Sequence, residues 1–299
     1  MTIEDATVTT HVVASRTGPL RVAVVVPPRA GDAAFVVTLG HAASLEPFEL
    51  QRFRLMALEL AARLVVVETP GYGLPGSSLT AGERWSLLTR ARFDRVASRM
   101  LDAALAVVPD LLGPDGADVE HLGIIGYSLG ASIGSSVAAE IRRRTGRPVA
   151  RLVLVEPVAG QRWRVRPLLA ATRAEDALVD VALAGNEEVP GTVVPWDRRD
   201  DDRPAPARNE LDLALLANAL RAGRLGATVA DDALPLRLDL VRGRGSLLSL
   251  AGACASITGR AEGSGIPSRT LVLDGSHALW HSLASISELC AFVLGGDDR

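Results

Sequence analysis

Polar and apolar residues alternate through the first 30 positions, where ATVTTHVVAS and LRVAVVVPP flank the turn RTGP. A period of two puts successive side chains on opposite faces, so this stretch predicts a hairpin of two antiparallel strands. The pattern then changes to continuous apolar runs: FVVTLG (35–40), RLVVVETP (63–70), HLGIIGYS (121–128) and RLVLVEP, which ends at residue 157. Strands without alternation are buried on both faces, as in a parallel sheet covered by helices. Between the runs, PFELQRFRLMALELAARL and ERWSLLTRARFDRVASRMLDAALAVVPDLL (83–112) carry apolar residues at helical spacing and predict helices.

From about residue 160 to 234 the rhythm is different. LLAATRAEDALVDVALAG and NELDLALLANALRAG read as helices around WDRRDDDRPAPAR, a polar stretch that no strand could use and that reads as a mobile loop. Strand-like runs resume at LRLDLVRG (236–243) and RTLVLDG (269–275), and the helix SLASISELCAFVL follows. The chain shows no internal repeat. The predicted fold is a doubly wound α/β domain with a mostly parallel central sheet and helices on both faces. Its core comprises residues 1–159 and 235–299, and residues 160–234 form an inserted helical cap or lid.

Composition narrows the partners. Of 299 residues, 48% are hydrophobic, enough for one large core, and the net charge of −3 gives no basic stripe for nucleic acid. All 32 basic residues are arginine, which reads as the codon usage of a GC-rich bacterial genome. The start, MTIEDATVTT, has acids and threonines where a signal peptide needs a basic and then an apolar region. No apolar run approaches the roughly 20 residues of a membrane span. The expectation is a cytoplasmic protein without a membrane partner. Cys254 and Cys290 lie in apolar contexts without metal-ligand spacing and read as buried free thiols, so no metal or other cofactor is implied.

The chemistry starts in GIIGYSLGAS (123–132), which holds the pattern G-x-S-x-G around Ser128. An apolar strand ends there and LGASIGSSVAAEIRRR begins a helix. So sharp a strand-to-helix turn needs Gly126 and Gly130 for steric reasons, while Ala131 and Gly134 let the helix approach the sheet. The turn lifts the Ser128 hydroxyl to a helix N-terminus, whose backbone N–H groups can stabilise an oxyanion. The strand, turn and small-residue helix together make Ser128 a candidate nucleophile.

With these motifs the chain resembles the α/β-hydrolase family along nearly its whole length. In that family the nucleophile follows the fifth strand, the histidine follows the last, and one oxyanion amide follows the third. The last apolar strand here, TLVLDGSHALW, delivers His277 on a Gly-x-His turn. An imidazole is suited to take the serine proton near neutral pH and to return it to a leaving group. Of the five histidines, His11 lies in the first hairpin, His121 starts a strand and His281 is one helical turn past His277. The third-strand end reads TLGHAAS, where relatives usually have His-Gly. Alignment on Gly40 puts Leu39 in the histidine's place and makes the backbone N–H groups of Leu129 and His41 the implied oxyanion donors. Gly40, the His41 side chain and Tyr127 become candidate substrate contacts, and ETPGYGLPGSS resembles the family's glycine-rich loop beside the active site.

The acid departs from the commonest pattern. Relatives often read Gly-x-x-Asp after the seventh strand, but here LVRGRGSLLS puts Ser246 in the aspartate's place. A serine cannot hold the imidazolium charge. Asp239 lies inside the strand, and Asp274 is only three residues from His277. The family's other position is the end of the sixth strand, where RLVLVEPVAG supplies Glu156. That placement looks like the one in thioesterase domains of polyketide and peptide assembly lines, and in some haloalkane dehalogenases, which need Asp where Ser128 stands. In the alternative, Glu156 caps a loop or pairs with Arg162, Arg164 or Arg166.

The resemblance implies a serine hydrolase acting on a small-molecule ester or thioester, free or carrier-bound, in bacterial metabolism. A Ser128–His277–Glu156 triad would work through an acyl-enzyme. Alternatives are an acyltransferase, cyclase or eliminating lyase with the same triad, and a non-catalytic binding protein.

Overall fold

A computed structural model describes residues 2–14, 18–113, 119, 121–188 and 207–295. Part of the RTGP turn and most of WDRRDDDRPAPAR lie outside the described residues. Eight strands form the central sheet: β1 (Thr7–Val13), β2 (Leu20–Val26), β3 (Ala34–Thr38), β4 (Arg63–Val67), β5 (Leu122–Tyr127), β6 (Arg151–Val155), β7 (Leu238–Gly243) and β8 (Ser268–Leu273). Their spatial order is β1-β2-β4-β3-β5-β6-β7-β8. β1 pairs antiparallel with β2, and β2 antiparallel with β4. From β4 to β8 every pairing is parallel. The alternating hairpin and the continuous apolar runs thus have the structural roles that their periods predict.

The apolar strands feed two cores. Val22 and Val24, Val36, Ile124, and Leu152 and Leu154 face one layer. Ala23 and Val25, Phe35 and Val37, Ile125, and Val153 and Val155 face the other. Fully burying one such side chain stabilises a fold by about 1.5–3 kcal/mol, which is why both faces must be covered. On the first face lie α3 (Asp94–Val107), α4 (Leu129–Thr145) and α9 (Ala251–Gly263); on the second lie α1 (Pro47–Leu60) and α10 (Leu283–Leu294). At the sheet's edge, β1 leaves Thr7, Thr9, Thr10 and His11 exposed. Polar side chains on an edge strand discourage pairing with a second sheet.

The run 83–112 differs from its pattern. It forms two helices, α2 (Ala81–Arg90) and α3, because Ala91 takes a left-handed conformation at φ 49° and ends the first. A capping box starts α2: Thr80 Oγ1 accepts from the Glu83 N–H at 2.9 Å, and Glu83 Oε2 accepts from the Thr80 N–H at 2.6 Å. Ser86 Oγ then donates to Asp94 Oδ1 at 2.9 Å, tying the two helices across the break.

Between β6 and β7 the described residues form α5 (Val165–Asp176), α6 (Val179–Ala184), a 3-10 turn at Gly185–Glu188, α7 (Glu210–Leu220) and α8 (Leu225–Ala227), which runs into a π-turn at Thr228–Ala233. α7 packs on α2, and Asp212 of α7 is fully buried where it accepts from Arg84 Nε at 2.7 Å and the Leu79 N–H at 2.8 Å. Cys254 and Cys290 are free and buried. Among the described residues no helix is long and apolar enough to cross a membrane.

Candidate active site

The parallel strands hand their ends to one another in a stair. The Ser128 N–H, just past β5, donates to Val155 O of β6 at 2.9 Å. The Glu156 N–H, just past β6, donates to Val241 O of β7 at 2.8 Å, and the Arg244 N–H, just past β7, donates to Leu273 O of β8 at 2.8 Å. Ser128 and Glu156 both sit at positive φ, 55° and 52°. Such a conformation costs a non-glycine residue about 1–3 kcal/mol and persists only where surrounding structure enforces it.

Around Ser128 the enforcement is steric. A Cβ on Gly130 would stand 2.1 Å from Thr38 O, and one on Gly126 would stand 2.4 Å from Gly130 O. Thr38 Oγ1 donates to Gly130 O at 2.7 Å, which fastens the turn to β3. Gly134, one turn into α4, brings its Cα so close that a Cβ would meet Thr38 Oγ1 at 2.8 Å. The Ser128 side chain makes no capping bond at the start of α4, so its hydroxyl is available elsewhere.

It is taken up by His277, which opens a short 3-10 turn, His277–His281, after β8. His277 Nε2 lies 3.0 Å from Ser128 Oγ, and Nδ1 lies 2.8 Å from Glu156 Oε2. A carboxylate only accepts, so the proton belongs on Nδ1 and the bare Nε2 accepts from the serine hydroxyl. Glu156 is fully buried. Its Oε1 accepts from the Gly243 N–H, and its Oε2 also accepts from Ser246 Oγ. The Ser246 oxygen in turn accepts from the Ser249 N–H at 3.0 Å. The structure therefore brings Ser128, His277 and Glu156 into one hydrogen-bonded line.

The alternatives for the acid fall elsewhere. Asp274 is solvent-exposed and pairs with Arg244 Nε at 2.9 Å. Asp239 is buried among Arg269, Arg237 and Arg151, with N···O distances of 2.9, 3.3 and 3.4 Å, and contributes to the sheet. Arg162, Arg164 and Arg166 are exposed, whereas the Glu156 oxygens are occupied in the interior.

Gly40 closes over the serine, where a Cβ would stand 3.7 Å from Ser128 Cβ and 2.9 Å from the Tyr127 ring. Among the described residues neither the Leu129 N–H nor the His41 N–H donates to another protein group. The His41 ring is held by α7, its Nε2 bonded to Leu213 O at 3.1 Å. Tyr127, the other candidate substrate contact, packs beneath the histidine turn. It is buried, its hydroxyl donates to His277 O at 3.1 Å, and its ring stacks on Trp280 at 4.9 Å between centroids. Burial and the Glu156 charge push its phenol far above the ordinary range, so the hydroxyl keeps the proton that it donates to His277 O.

Three contributors escape sequence reading. Ser246, in the place where the resemblance leads one to expect the acid, donates to the Glu156 carboxylate. Glu175 of α5 is buried, and its carboxylate accepts the His277 N–H at 2.9 Å and the Leu247 N–H at 2.5 Å. Asn186 is also buried, with Nδ2 donating to His281 O and Oδ1 accepting from the Leu283 N–H, both at 2.7 Å. No motif marks Glu175 or Asn186. A cleft of about 680 Å³ between α3, α4 and α8 contains none of Ser128, His277 and Glu156. Among the described residues no cluster of His, Cys, Asp and Glu could hold a metal ion.

Strand order, the strained strand-to-helix turn and the histidine after the last strand define the α/β-hydrolase fold. No family model matches the chain, and no curated protein matches it. Solved structures do. A thioesterase domain from the curacin biosynthetic pathway is 15% identical with a TM-score of 0.55, covering 96% of this chain and 99% of its own. An α/β-hydrolase fold protein from Chitinophaga pinensis is 13% identical with a TM-score of 0.58, covering 96% and 98%. An esterase of Pyrobaculum calidifontis is 15% identical with a TM-score of 0.56, covering 98% and 86%. At these identities the likeness carries the fold.

Proposed function

We propose that the protein is a serine hydrolase of esters or thioesters and that Ser128, His277 and Glu156 are its triad. The observation that carries this reading is the unbroken line of contacts from Ser128 Oγ through both ring nitrogens of His277 to Glu156. In the proposed reaction Ser128 Oγ attacks the substrate carbonyl carbon while its proton passes to His277 Nε2. Glu156 stabilises the imidazolium through Nδ1–H. The N–H groups of Leu129 and His41 bond the carbonyl oxygen as it becomes an oxyanion, aided by the N-terminal end of α4. The imidazolium then gives its proton to the departing alcohol or thiol, leaving an acyl-serine that an incoming water cleaves by the same steps.

A thioester substrate, free or carrier-bound, is favoured by the acid's place after β6 together with the likeness to a thioesterase domain. In the same reading residues 160–234 are a cap, with α7 over the serine side through its contact to His41. Ser128 and His277 are each only 7% exposed. Restricted water favours a second outcome from the same acyl-enzyme, transfer to another nucleophile, cyclisation or elimination.

The test is covalent. A fluorophosphonate probe should modify Ser128 in the native protein, located by peptide mass spectrometry, and Ser128→Ala should take up none. Unmodified Ser128 in the folded protein would overturn the reading. Product analysis with acyl thioesters of coenzyme A or N-acetylcysteamine separates hydrolysis from transfer.

A further inference from the structure

The His277 turn is bracketed by the segment between β6 and β7. Glu175 receives the backbone N–H that begins the turn and also the Leu247 N–H of the loop that follows β7. Asn186 takes the turn's last carbonyl and the N–H of Leu283 beyond it. Val179 and Leu183 of α6 belong to the same apolar core as Ala278, Leu279 and Trp280. The two buried carboxylates divide the work on these loops. Glu156 holds the His277 ring and Ser246 hydroxyl, and Glu175 holds the backbone of His277 and Leu247.

We propose that Glu175 is a positioning residue that sets the His277 backbone relative to the Ser246 loop, and that α5 and α6 are a fixed buttress of the site. The inference rests on the serine-hydrolase reading for its kinetic consequence, but its geometry stands apart from it. The Leu247 and His277 N–H groups lie in the loops after β7 and β8, whose backbones bond directly through the Arg244 N–H to Leu273 O and the Gly245 N–H to Gly275 O, both at 2.8 Å and both short of Leu247 and His277. One carboxylate with two accepting oxygens ties them together. A glutamine can accept with only one of its two terminal groups, and its amide would face the second N–H as donor against donor. A buried anion that accepts two N–H groups is also a stronger anchor than a neutral acceptor.

The decisive comparison uses Glu175→Ala and Glu175→Gln in the full chain, with two readouts. Titration with the fluorophosphonate gives the maximal rate of Ser128 modification and the probe's apparent binding constant. Glu175→Ala should lower the maximal rate by about 10-fold or more with the binding constant within twofold, because small misplacements of a catalytic group are costly while probe binding is untouched. Glu175→Gln should fall between it and the wild type. Hydrogen exchange of peptides containing His277 and Leu247 should accelerate in both variants while peptides of β3 and β5 keep their protection. Unchanged exchange at both amides, or a maximal rate equal to wild type, would overturn the proposal. A loss shared equally by rate and binding, with protection lost throughout the sheet, would also overturn it by showing a general stability role. If the wild-type serine resists the probe, the hydrolase reading fails and hydrogen exchange alone decides the clamp.

Discussion

Ser246 Oγ and His277 Nδ1 donate to the same oxygen of Glu156. The serine therefore fixes the carboxylate rotamer that the imidazole needs. Its own direction is fixed because the Ser249 N–H occupies its lone pair at 3.0 Å. Ser246, in the place where the sequence resemblance leads one to expect the acid, here orients a carboxylate borne one strand away.

Glu156→Gln keeps the size of the side chain and removes the charge. The amide can still accept from one donor, but it cannot stabilise an imidazolium, and its nitrogen can force the wrong tautomer on His277. Turnover of a thioester or aryl ester should fall by about 10³- to 10⁴-fold. Activity near wild type in Glu156→Gln would remove Glu156 from the triad.

Ser246→Ala should show a milder defect. It leaves the charge in place and deletes one hydrogen bond to a buried carboxylate, a loss of about 1.5–3 kcal/mol in stability. The chevron of urea denaturation reads that loss, and kcat/KM should fall by about 10-fold. Asp274→Asn, whose residue pairs with Arg244 on the surface, should match wild type in both measurements.

Gly130→Ala tests the turn itself. Its Cβ would lie 2.1 Å from Thr38 O, a backbone atom that cannot step aside. We expect a loss of about 3 kcal/mol or more, read as a lowered Tm or a failure to accumulate as folded protein. Gly146→Ala is the contrasting case: a Cβ there meets nothing within 4 Å, and only its φ of 73° opposes the change.

A pH-dependent stability should trace to Glu68, at the end of β4. Burial pushes its carboxyl up to about 7, against the opposing pull of the Leu45 N–H and Arg21. A raised native pKa means that the folded state holds its proton more tightly. The corresponding stability is complete below the unfolded pKa near 4.5 and is lost as pH rises to about 7. Glu68→Gln should flatten that part of the stability curve and raise stability at pH 8 by on the order of 2–3 kcal/mol. Parallel pH curves for the two proteins between pH 4.5 and 8 would refute the assignment.

Much of this was legible in the chain because the decisive signals were local. Continuous apolar runs marked the parallel strands, and Gly126 and Gly130 marked a turn whose clashes involve backbone atoms. His277 was reachable because it follows the last strand directly. The break at Ala91 was invisible, since an alanine gives no warning of a left-handed conformation. Glu175, Asn186 and the role of Ser246 were hidden for another reason. Their hydrogen bonds to the site span 72 to 102 residues for Glu175, 95 to 97 for Asn186 and 90 for Ser246, and exist only once the sheet has brought the loops together. The same distance hid the partner of Tyr127, which sits next to Ser128 in sequence but whose hydroxyl donates to His277 O, 150 residues away.

If Ser128 is the nucleophile proposed above, the paired kinks at Ser128 and Glu156 make its reactivity an indicator of a particular part of the molecule. Each residue sits at positive φ and its N–H bonds to the neighbouring strand, and close backbone packing adds to the constraint at Ser128. Loosening the middle of the sheet would let both backbones relax together, and the serine would cease to be reactive before the chain had unfolded. Probe uptake during a denaturant titration should thus follow the interior strands and report their local melting, even where the outer hairpin still gives a native signal.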